Sequence, residues 1–284
     1  MIDKNEIFGI AKKQKVPIST IEKDYVLSWF LAAIQHQKEL FNNWIFKGGT
    51  CLRKCYFENY RFSEDLDFTL HDSSHINERF LKSTFMHIAN WIYEEVGIKI
   101  PSDGIKIEIF PNKQRKEISQ ISIKYCGPLK PKIKSNWPKI KLDLTANEKL
   151  VTFPIKQEIF HLYSDKPLSG IYIKTYSIEE IFSEKLRALF ERCRPRDLYD
   201  IINLFQKKDL LKLSKDNCKK ILIKKCSFKS LDIPNYKLME KHIQKKVLIS
   251  QWSNMLQHQI AELSSWEFYW KILPEVFQWM DLSE

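Results

Sequence analysis

The sequence has no run of apolar residues long enough to cross a membrane, a span that needs about 18–20 residues. Its first residues, 1–6, lack the basic stretch followed by an apolar stretch that marks a secretory signal. The six cysteines form no C-x-x-C pair and have no histidines at the spacing of a zinc site. We therefore expect a cytoplasmic protein with reduced thiols and no membrane partner.

Internal repeats and long linkers are also absent, so the 284 residues are expected to form one large or two modest domains. Positive charge is abundant: 46 Lys and Arg residues oppose 35 Asp and Glu residues, which gives a formal net charge of +11. Between residues 207 and 246, thirteen lysines oppose four acids. Such a block favours a nucleic-acid partner, with a merely lysine-rich solvated surface as the alternative.

The periodicity of apolar residues predicts an α+β fold. Strands are predicted at 44–46, 65–70, 104–110, 121–125 and 139–145, the third and fourth pairing antiparallel across a polar loop at 111–117. Capping boxes at 19–22 and 177–180 predict helix starts, with Ser19 and Ser177 as the N-caps. From residue 177 the pattern is helical. We therefore predict an α/β domain at 1–170 with N-terminal helices, followed by a helical, Lys-rich domain at 171–284 that completes the cleft.

A glycine pair followed by a hydroxyl residue ends the first predicted strand, in the run Lys47-Gly48-Gly49-Thr50. Glycines let backbone amides approach a phosphate without an intervening side chain. A helix that begins at Thr50 would add its N-terminal amides. The run therefore predicts a phosphate-binding loop.

Three aspartates lie on the polar faces of predicted strands. Asp65 and Asp67 form a D-x-D pair, and because side chains alternate along a strand, both carboxylates lie on one face. Adjacent carboxylates repel each other unless a cation lies between them, and hard oxygen ligands suit Mg²⁺. Asp143 presents a third carboxylate from another strand, where an ordinary exposed position is the alternative. We predict a metal site formed by Asp65, Asp67 and Asp143.

Two charged residues in the helical half stand out. Lys185 falls inside the apolar stripe of its helix, one turn from Ile181 and from Leu189. A lysine on an inward face snorkels, pairs with a buried acid or reaches a ligand, and we favour a triphosphate. Asp197 lies in the first turn of the next helix, where an acid also simply offsets the helix dipole.

Taken together, these segments resemble a known family. K-G-G-T-x-L-R-K-x-Y at 47–56 and Y-R-F-S-E-D-L-D-F at 60–68 resemble the AbiE-type nucleotidyltransferase toxins, which are related to the MenT toxins. Further matches follow the family order: Glu22-Lys23-Asp24-Tyr25, Ile140-Lys141-Leu142-Asp143, Glu184-Lys185-Leu186-Arg187-Ala188 and Arg194-Pro195-Arg196-Asp197-Leu198-Tyr199-Asp200. The resemblance covers about 22–205 and places the chain in the polymerase-β-like nucleotidyltransferase superfamily.

This resemblance implies a mixed sheet in the N-terminal half and an all-helical C-terminal half. It implies a toxin that uses Mg²⁺ to transfer a nucleotide from a nucleoside triphosphate to an RNA acceptor, which would be the 3′ end of tRNA. It also implies a cognate antitoxin. Asp65 and Asp67 would hold catalytic Mg²⁺, Asp143 would match the superfamily's third carboxylate, Lys185 would contact the triphosphate, and Asp197 would be a further acid of the active site. The expected nucleotide-binding residues are Lys47, Gly48, Gly49, Thr50, Arg53, Arg61, Ser63 and Lys185.

Three alternatives stay open. The acceptor is a small-molecule or protein hydroxyl; or the fold is a catalytically silent module that binds nucleic acid or a partner; or the chain is a helical DNA-binding protein. All candidate acids and Lys185 are present, which argues against a silent site. No helix-turn-helix pattern is visible, which argues against the third alternative.

Overall fold

The computed structural model describes residues 1–111 and 117–282. The chain divides into two compact units: Met1–Glu148 with Pro154–Thr175, and Lys149–Phe153 with Tyr176–Glu284. The first unit contains a mixed sheet and the second is helical, as the α+β prediction required. The sheet unit extends to Thr175, past residue 170, where the sequence predicts the boundary.

The first unit is built on a sheet of seven described strands in the order β3-β4-β5-β2-β1-β7-β6. The strands are β1 (Trp44–Lys47), β2 (Asp65–Leu70), β3 (Ile105–Pro111), β4 (Glu117–Lys124), β5 (Lys139–Thr145), β6 (Ile155–Glu158) and β7 (Tyr172–Thr175). β2 runs parallel to β5, and β1 runs parallel to β7. The remaining neighbours are antiparallel, including the predicted pair β3 and β4, whose connection at 112–116 lies outside the described residues.

Alternation along the two aspartate-bearing strands sets which face is buried. Leu66 and Phe68 of β2 are fully buried, as are Ile140, Leu142 and Leu144 of β5. Their polar neighbours lie on the opposite face and, except for the buried Thr69, are half-buried or exposed. The hydrophobic effect therefore fixes the face on which the strand carboxylates stand.

The helices of the first unit are α1 (Lys4–Gln14), α2 (Ile18–His36), α3 (Lys38–Asn43), α4 (Gly48–Cys51) and α5 (Glu78–Val96). α4 continues directly into a π-helical turn at Leu52–Tyr56, and short 3₁₀ turns occur at Ser73–His75, Ser102–Gly104 and Lys134–Asn136. α2 is apolar on nearly all sides and packs against α1, α5 and β7. It is therefore the central helix of this unit.

The second unit contains α6 (Ile178–Arg192), α7 (Pro195–Gln206), α8 (Lys215–Phe228), α9 (Tyr236–Glu240), α10 (Lys245–Leu256) and α11 (Trp266–Trp279). α6 packs against α7 and α8, and α7 also packs against α10 and α11. Pro195 occupies the first turn of α7, where its missing N–H costs no hydrogen bond. No described helix in either unit has the length and apolarity that crossing a bilayer demands.

The two predicted capping boxes have different outcomes. Ser177 is the N-cap of α6, and its side chain accepts a hydrogen bond from the amide of Glu180 (3.2 Å), which confirms that prediction. Ser19 is not a cap, because α2 already begins at Ile18. The partner acid Glu22 instead accepts a hydrogen bond from the amide of Leu129 (2.8 Å), far away in the sequence.

Candidate active site

Gly48 lies at the junction of β1 and α4 with φ of +81°, a left-handed conformation that side chains rarely adopt. A Cβ atom at this position would lie 2.2 Å from Oδ2 of Asp67. The absence of a side chain therefore serves two purposes. It permits the turn, and it makes room for the Asp67 carboxylate directly against the backbone of the loop.

Gly49 makes room for two further predicted residues. A Cβ atom here would lie 2.5 Å from Nη2 of Arg61 and 3.2 Å from Oγ of Ser63. The next residue, Thr50, is fully buried and donates its hydroxyl hydrogen to the carbonyl oxygen of Asp65. This bond ties the loop to the start of β2, so the glycine pair, Arg61, Ser63 and the D-x-D strand form one local structure.

The three predicted metal ligands stand on adjacent strands and one face of the sheet. In the parallel pairing of β2 with β5, Asp67 lies directly opposite Asp143. Asp65 lies two residues before Asp67, and therefore on the same face. On the other side of β2, the antiparallel pairing with β1 places Lys47 opposite Asp67. All three carboxylates are half-buried.

The charges around Asp143 have opposing effects on the pKa of its carboxyl group. Burial, followed by the negative charge of Asp65, raises the pKa of the Asp143 carboxyl group above its usual range. The positive charges of Lys141 and Lys47 and a hydrogen bond from Gln120 oppose this increase. The carboxylates of Asp65 and Asp143 therefore repel each other, and a cation between them would relieve this repulsion.

The carboxylates of Asp65, Asp67 and Asp143 are the predicted ligands of Mg²⁺. Among residues 1–111 and 117–282, no three or more His, Cys, Asp or Glu side chains form a site that could hold a metal ion as it stands. Mg²⁺, however, is commonly held by one or two carboxylates together with water and substrate phosphates. The facing aspartates Asp67 and Asp143, with Asp65 on the same face, fit such a shared cation.

Arg53 and the neighbouring Lys54 are buried beneath the loop and bind Asp24 of α2. Nε of Arg53 is 3.1 Å from Oδ1 of Asp24, and Nζ of Lys54 is 2.6 Å from Oδ2. The Arg53 guanidinium also donates to the carbonyl oxygen of Tyr60 and lies 3.5 Å from the ring centre of Phe62. The interactions described for Arg53 are thus with protein groups, and its predicted phosphate contact stays a prediction.

Lys185 and Asp197 come together in the second unit. Nζ of Lys185 is 3.2 Å from Oδ1 of Asp197 and 3.0 Å from Oδ2 of Asp200. Arg192 binds both oxygens of Asp197, at 2.8 and 3.0 Å. Burial alone would raise the pKa of Asp197, but the charges of Lys185 and Arg192 hold it below its usual range. The inward Lys185 is therefore paired with buried acids, one of the three outcomes that the helical pattern left open.

Sequence reasoning did not single out several residues beside the aspartates. Lys141 and Gln120, which act on Asp143, lie on β5 and β4. Each is a polar residue on an alternating strand, which is also the pattern of an ordinary solvated face. Only the register of the sheet distinguishes these positions.

Comparisons with known proteins agree with this architecture. Residues 29–273 match the family model described as nucleotidyl transferase AbiEii toxin, type IV toxin–antitoxin system. Among solved structures, MenT4, a nucleotidyltransferase toxin from Mycobacterium tuberculosis H37Rv, matches over 100% of both chains with a TM-score of 0.55 and 15% sequence identity. At this identity the likeness concerns the fold. A search of curated proteins finds no match.

Proposed function

Because the chain belongs to the AbiEii family of nucleotidyltransferase toxins of type IV toxin–antitoxin systems, we propose that it transfers a nucleotide to the 3′ end of a tRNA. The donor is a nucleoside triphosphate and the cation is Mg²⁺. The observation that supports this reaction best is the facing pair Asp67 and Asp143, with Asp67 seated against the glycine loop at Gly48.

In the proposed reaction the acceptor hydroxyl oxygen attacks the α-phosphorus. The bond between this phosphorus and the bridging oxygen breaks, and pyrophosphate leaves with the electron pair. The hydroxyl proton passes to the carboxylate of Asp143, which lies directly opposite Asp67 on the adjacent strand. A divalent cation, when bound to Asp65 and Asp67, supplies charge that favours ionisation of the hydroxyl and offsets the charge of the phosphates.

The loop and its neighbours bind the phosphates of the donor in this proposal. The backbone at Gly48 and Gly49 is bare of side chains, and the Arg61 guanidinium lies against Gly49. Ser63 adds a hydroxyl on the same side. In the second unit, Lys185 is proposed as a triphosphate contact, with Asp197 and Arg192 fixing its position. Cations that offset the charge of the leaving pyrophosphate lower the barrier for phosphoryl transfer.

Positive charge supports RNA as the acceptor. The net charge of +11 and the lysine block at 207–246 favour a polyanion, and two lysines of α8, Lys220 and Lys224, are exposed. Lys225 of the same helix is buried and binds Glu180 and Glu184, so it serves the fold. A tRNA substrate places the reaction in the cytoplasm, and the family implies a cognate antitoxin that restrains it.

The test incubates purified protein with Mg²⁺, unfractionated tRNA and each α-labelled nucleoside triphosphate in turn. Label should enter tRNA with the wild type and disappear with Asp67→Asn or with EDTA. Asp209→Asn, which removes the same charge at a side chain that is 94% exposed, serves as the matched control. Label on protein or on a small molecule would overturn the RNA acceptor. No transfer of any nucleotide by folded protein would overturn the proposal as a whole.

A further inference from the structure

Two rows of side chains run across the sheet from the aspartates. Directly paired residues on adjacent strands share a face, so the strand registers place the members of each row side by side. The first row is Asp65, Lys141, Ser122 and Lys106, and the second is Asp67, Asp143, Gln120 and Glu108. Both rows cross β2, β5, β4 and β3, and β3 is the last strand in the order of the sheet.

All members of these rows except Asp67 line a cleft of about 410 Å³ in the first unit. Its lining includes Asp65 and Asp143 at one end. Three lysines also line it: Lys106 from β3, and Lys139 and Lys141 from β5. Adjacent strands are about 4.8 Å apart, so the path from β2 to β3 is about 14 Å long.

The cleft lies on the side of the carboxylates away from the glycine loop. β2 has β1, which leads into Gly48, on one side and β5 on the other. In an in-line displacement the attacking oxygen and the leaving group occupy opposite sides of the phosphorus. If the loop side holds the phosphates of the donor, the attacking hydroxyl arrives from the side of β5, where the cleft is.

We propose that this cleft binds the terminal nucleotides of the RNA acceptor, an inference that rests on the proposed function. Lys106, Lys139 and Lys141 hold backbone phosphates that precede the 3′ terminus, while Asp143 faces the terminal hydroxyl. All three lysines are exposed, so their ammonium groups are available to a ligand. Ser122 and Gln120 add neutral polar groups of the kind that bind ribose hydroxyls and base edges.

The spacing and charge of the three lysines suit the phosphates of an RNA strand. Lys106 on β3 and the two lysines of β5 are separated by two strand spacings, about 10 Å, and cations spaced in this way can contact phosphodiesters that repeat along a chain. The acid of the lining other than Asp65 and Asp143 is Glu108. Apart from the two acids at the reacting end, the lining thus carries three lysines and one acid, which favours an anionic ligand.

The test compares two triple variants with equal loss of charge. The cleft variant is Lys106→Gln/Lys139→Gln/Lys141→Gln, and the control is Lys4→Gln/Lys12→Gln/Lys13→Gln on the exposed face of α1. We expect the cleft variant to raise the KM for tRNA about tenfold and to leave the KM for the nucleotide within about twofold. Its salt dependence of tRNA binding should also fall by about two in log–log slope, since each lost phosphate contact lowers it by nearly one.

The outcomes separate this inference from the function on which it rests. Equal KM values for tRNA in the two triple variants would overturn the cleft while leaving the reaction intact. A loss of kcat without a change in KM would do the same, because it would show that the lysines do not bind RNA. Wild-type protein that labels a small molecule or a protein would overturn the RNA acceptor and the cleft together. The double variant Lys106→Gln/Lys139→Gln repeats the test without Lys141, which acts on the charge of Asp143.

Discussion

At the scale of single residues, the candidate site requires that Gly48 and Gly49 have no Cβ atom. Gly48 has a positive φ, and a Cβ atom there would lie 2.2 Å from the Asp67 carboxylate. A Cβ atom at Gly49 would likewise lie 2.5 Å from Nη2 of Arg61. The positions of the Asp67 carboxylate and the Arg61 guanidinium thus depend on the absence of side chains at Gly48 and Gly49.

We predict that Gly48→Ala reduces nucleotide transfer at least a hundredfold, because displacement of a reacting group by about 1 Å has effects of that size. The left-handed backbone should also lower the free energy of unfolding by about 1–2 kcal/mol. Transfer assays and urea unfolding measure the two effects. Gly9→Ala is the matched control, since Gly9 lies inside α1 with nothing within 4 Å of an added Cβ. It should keep full activity and gain up to about 1 kcal/mol of stability. Equal activity of the two variants would contradict the role of Gly48.

At the scale of elements, prediction from sequence succeeded where the signal is local. The bounds of β2 and β5 agree with the prediction because apolar and polar residues alternate along both strands. The sequence could not predict that Asp67 and Asp143 lie opposite each other, because the register between strands distant in the chain depends on the packing of the whole sheet. β6 and β7 are four residues each, too short for alternation to mark them.

In α2 the local sequence pattern correctly predicted a helix, but it wrongly predicted Ser19 as the N-cap. Four consecutive residues of α2 hold different segments of the first unit. Glu22 accepts from the amide of Leu129, and Lys23 binds Glu64, the neighbour of Asp65. Asp24 binds Arg53 and Lys54, and Tyr25 donates to Asp165. The segment 22–25 thus anchors both the chain after the glycine loop and the start of β2, which no helical periodicity could indicate.

At the scale of elements, we predict how the loss of the Asp24 carboxylate changes the stability of the protein and its pH dependence. Asp24→Asn leaves Lys54 and Arg53 buried without their counter-charge, which should lower the free energy of unfolding by about 3–5 kcal/mol. Burial alone would raise the pKa of Asp24, but the charges of Lys54 and Arg53 lower it to about 2 in the folded protein. The stabilisation by the carboxylate is therefore present above the unfolded pKa near 3.8 and is lost as pH falls toward 2.

Urea unfolding of both proteins between pH 6 and pH 2 measures this effect. The difference in stability between wild type and Asp24→Asn should narrow by about 2 kcal/mol on the acid side. Asp103→Asn, which removes an exposed partner of Lys134, should show only a small and nearly constant difference. A difference for Asp24→Asn that stays the same at every pH would contradict the charge assignment.

At the scale of the whole molecule, the chain enters the helical unit at two places. The segment Lys149–Phe153 belongs to the second unit, although the residues on both sides of it belong to the first. Glu180 of α6 accepts hydrogen bonds from the amides of Val151 and Thr152, at 2.9 and 2.8 Å. Lys225 binds Glu180 and also donates to the carbonyl oxygen of Lys149. The buried carboxylate of Glu180 and the ammonium group of Lys225 therefore hold the segment Lys149–Phe153 on the second unit.

Removing this carboxylate should destabilise the second unit and release the segment. Glu180→Ala takes an acceptor from two amides and a counter-charge from Lys225, which is 1% exposed, so we expect a loss of about 3–5 kcal/mol. Hydrogen exchange should accelerate at Val151 and Thr152 and stay unchanged at Leu142 of β5, because the β5 amides belong to the other unit. Glu179→Ala removes the same charge one residue earlier and should leave these amides protected. Protection of Val151 and Thr152 in Glu180→Ala would show that the segment is held by the backbone of the second unit and that the buried ion pair is dispensable.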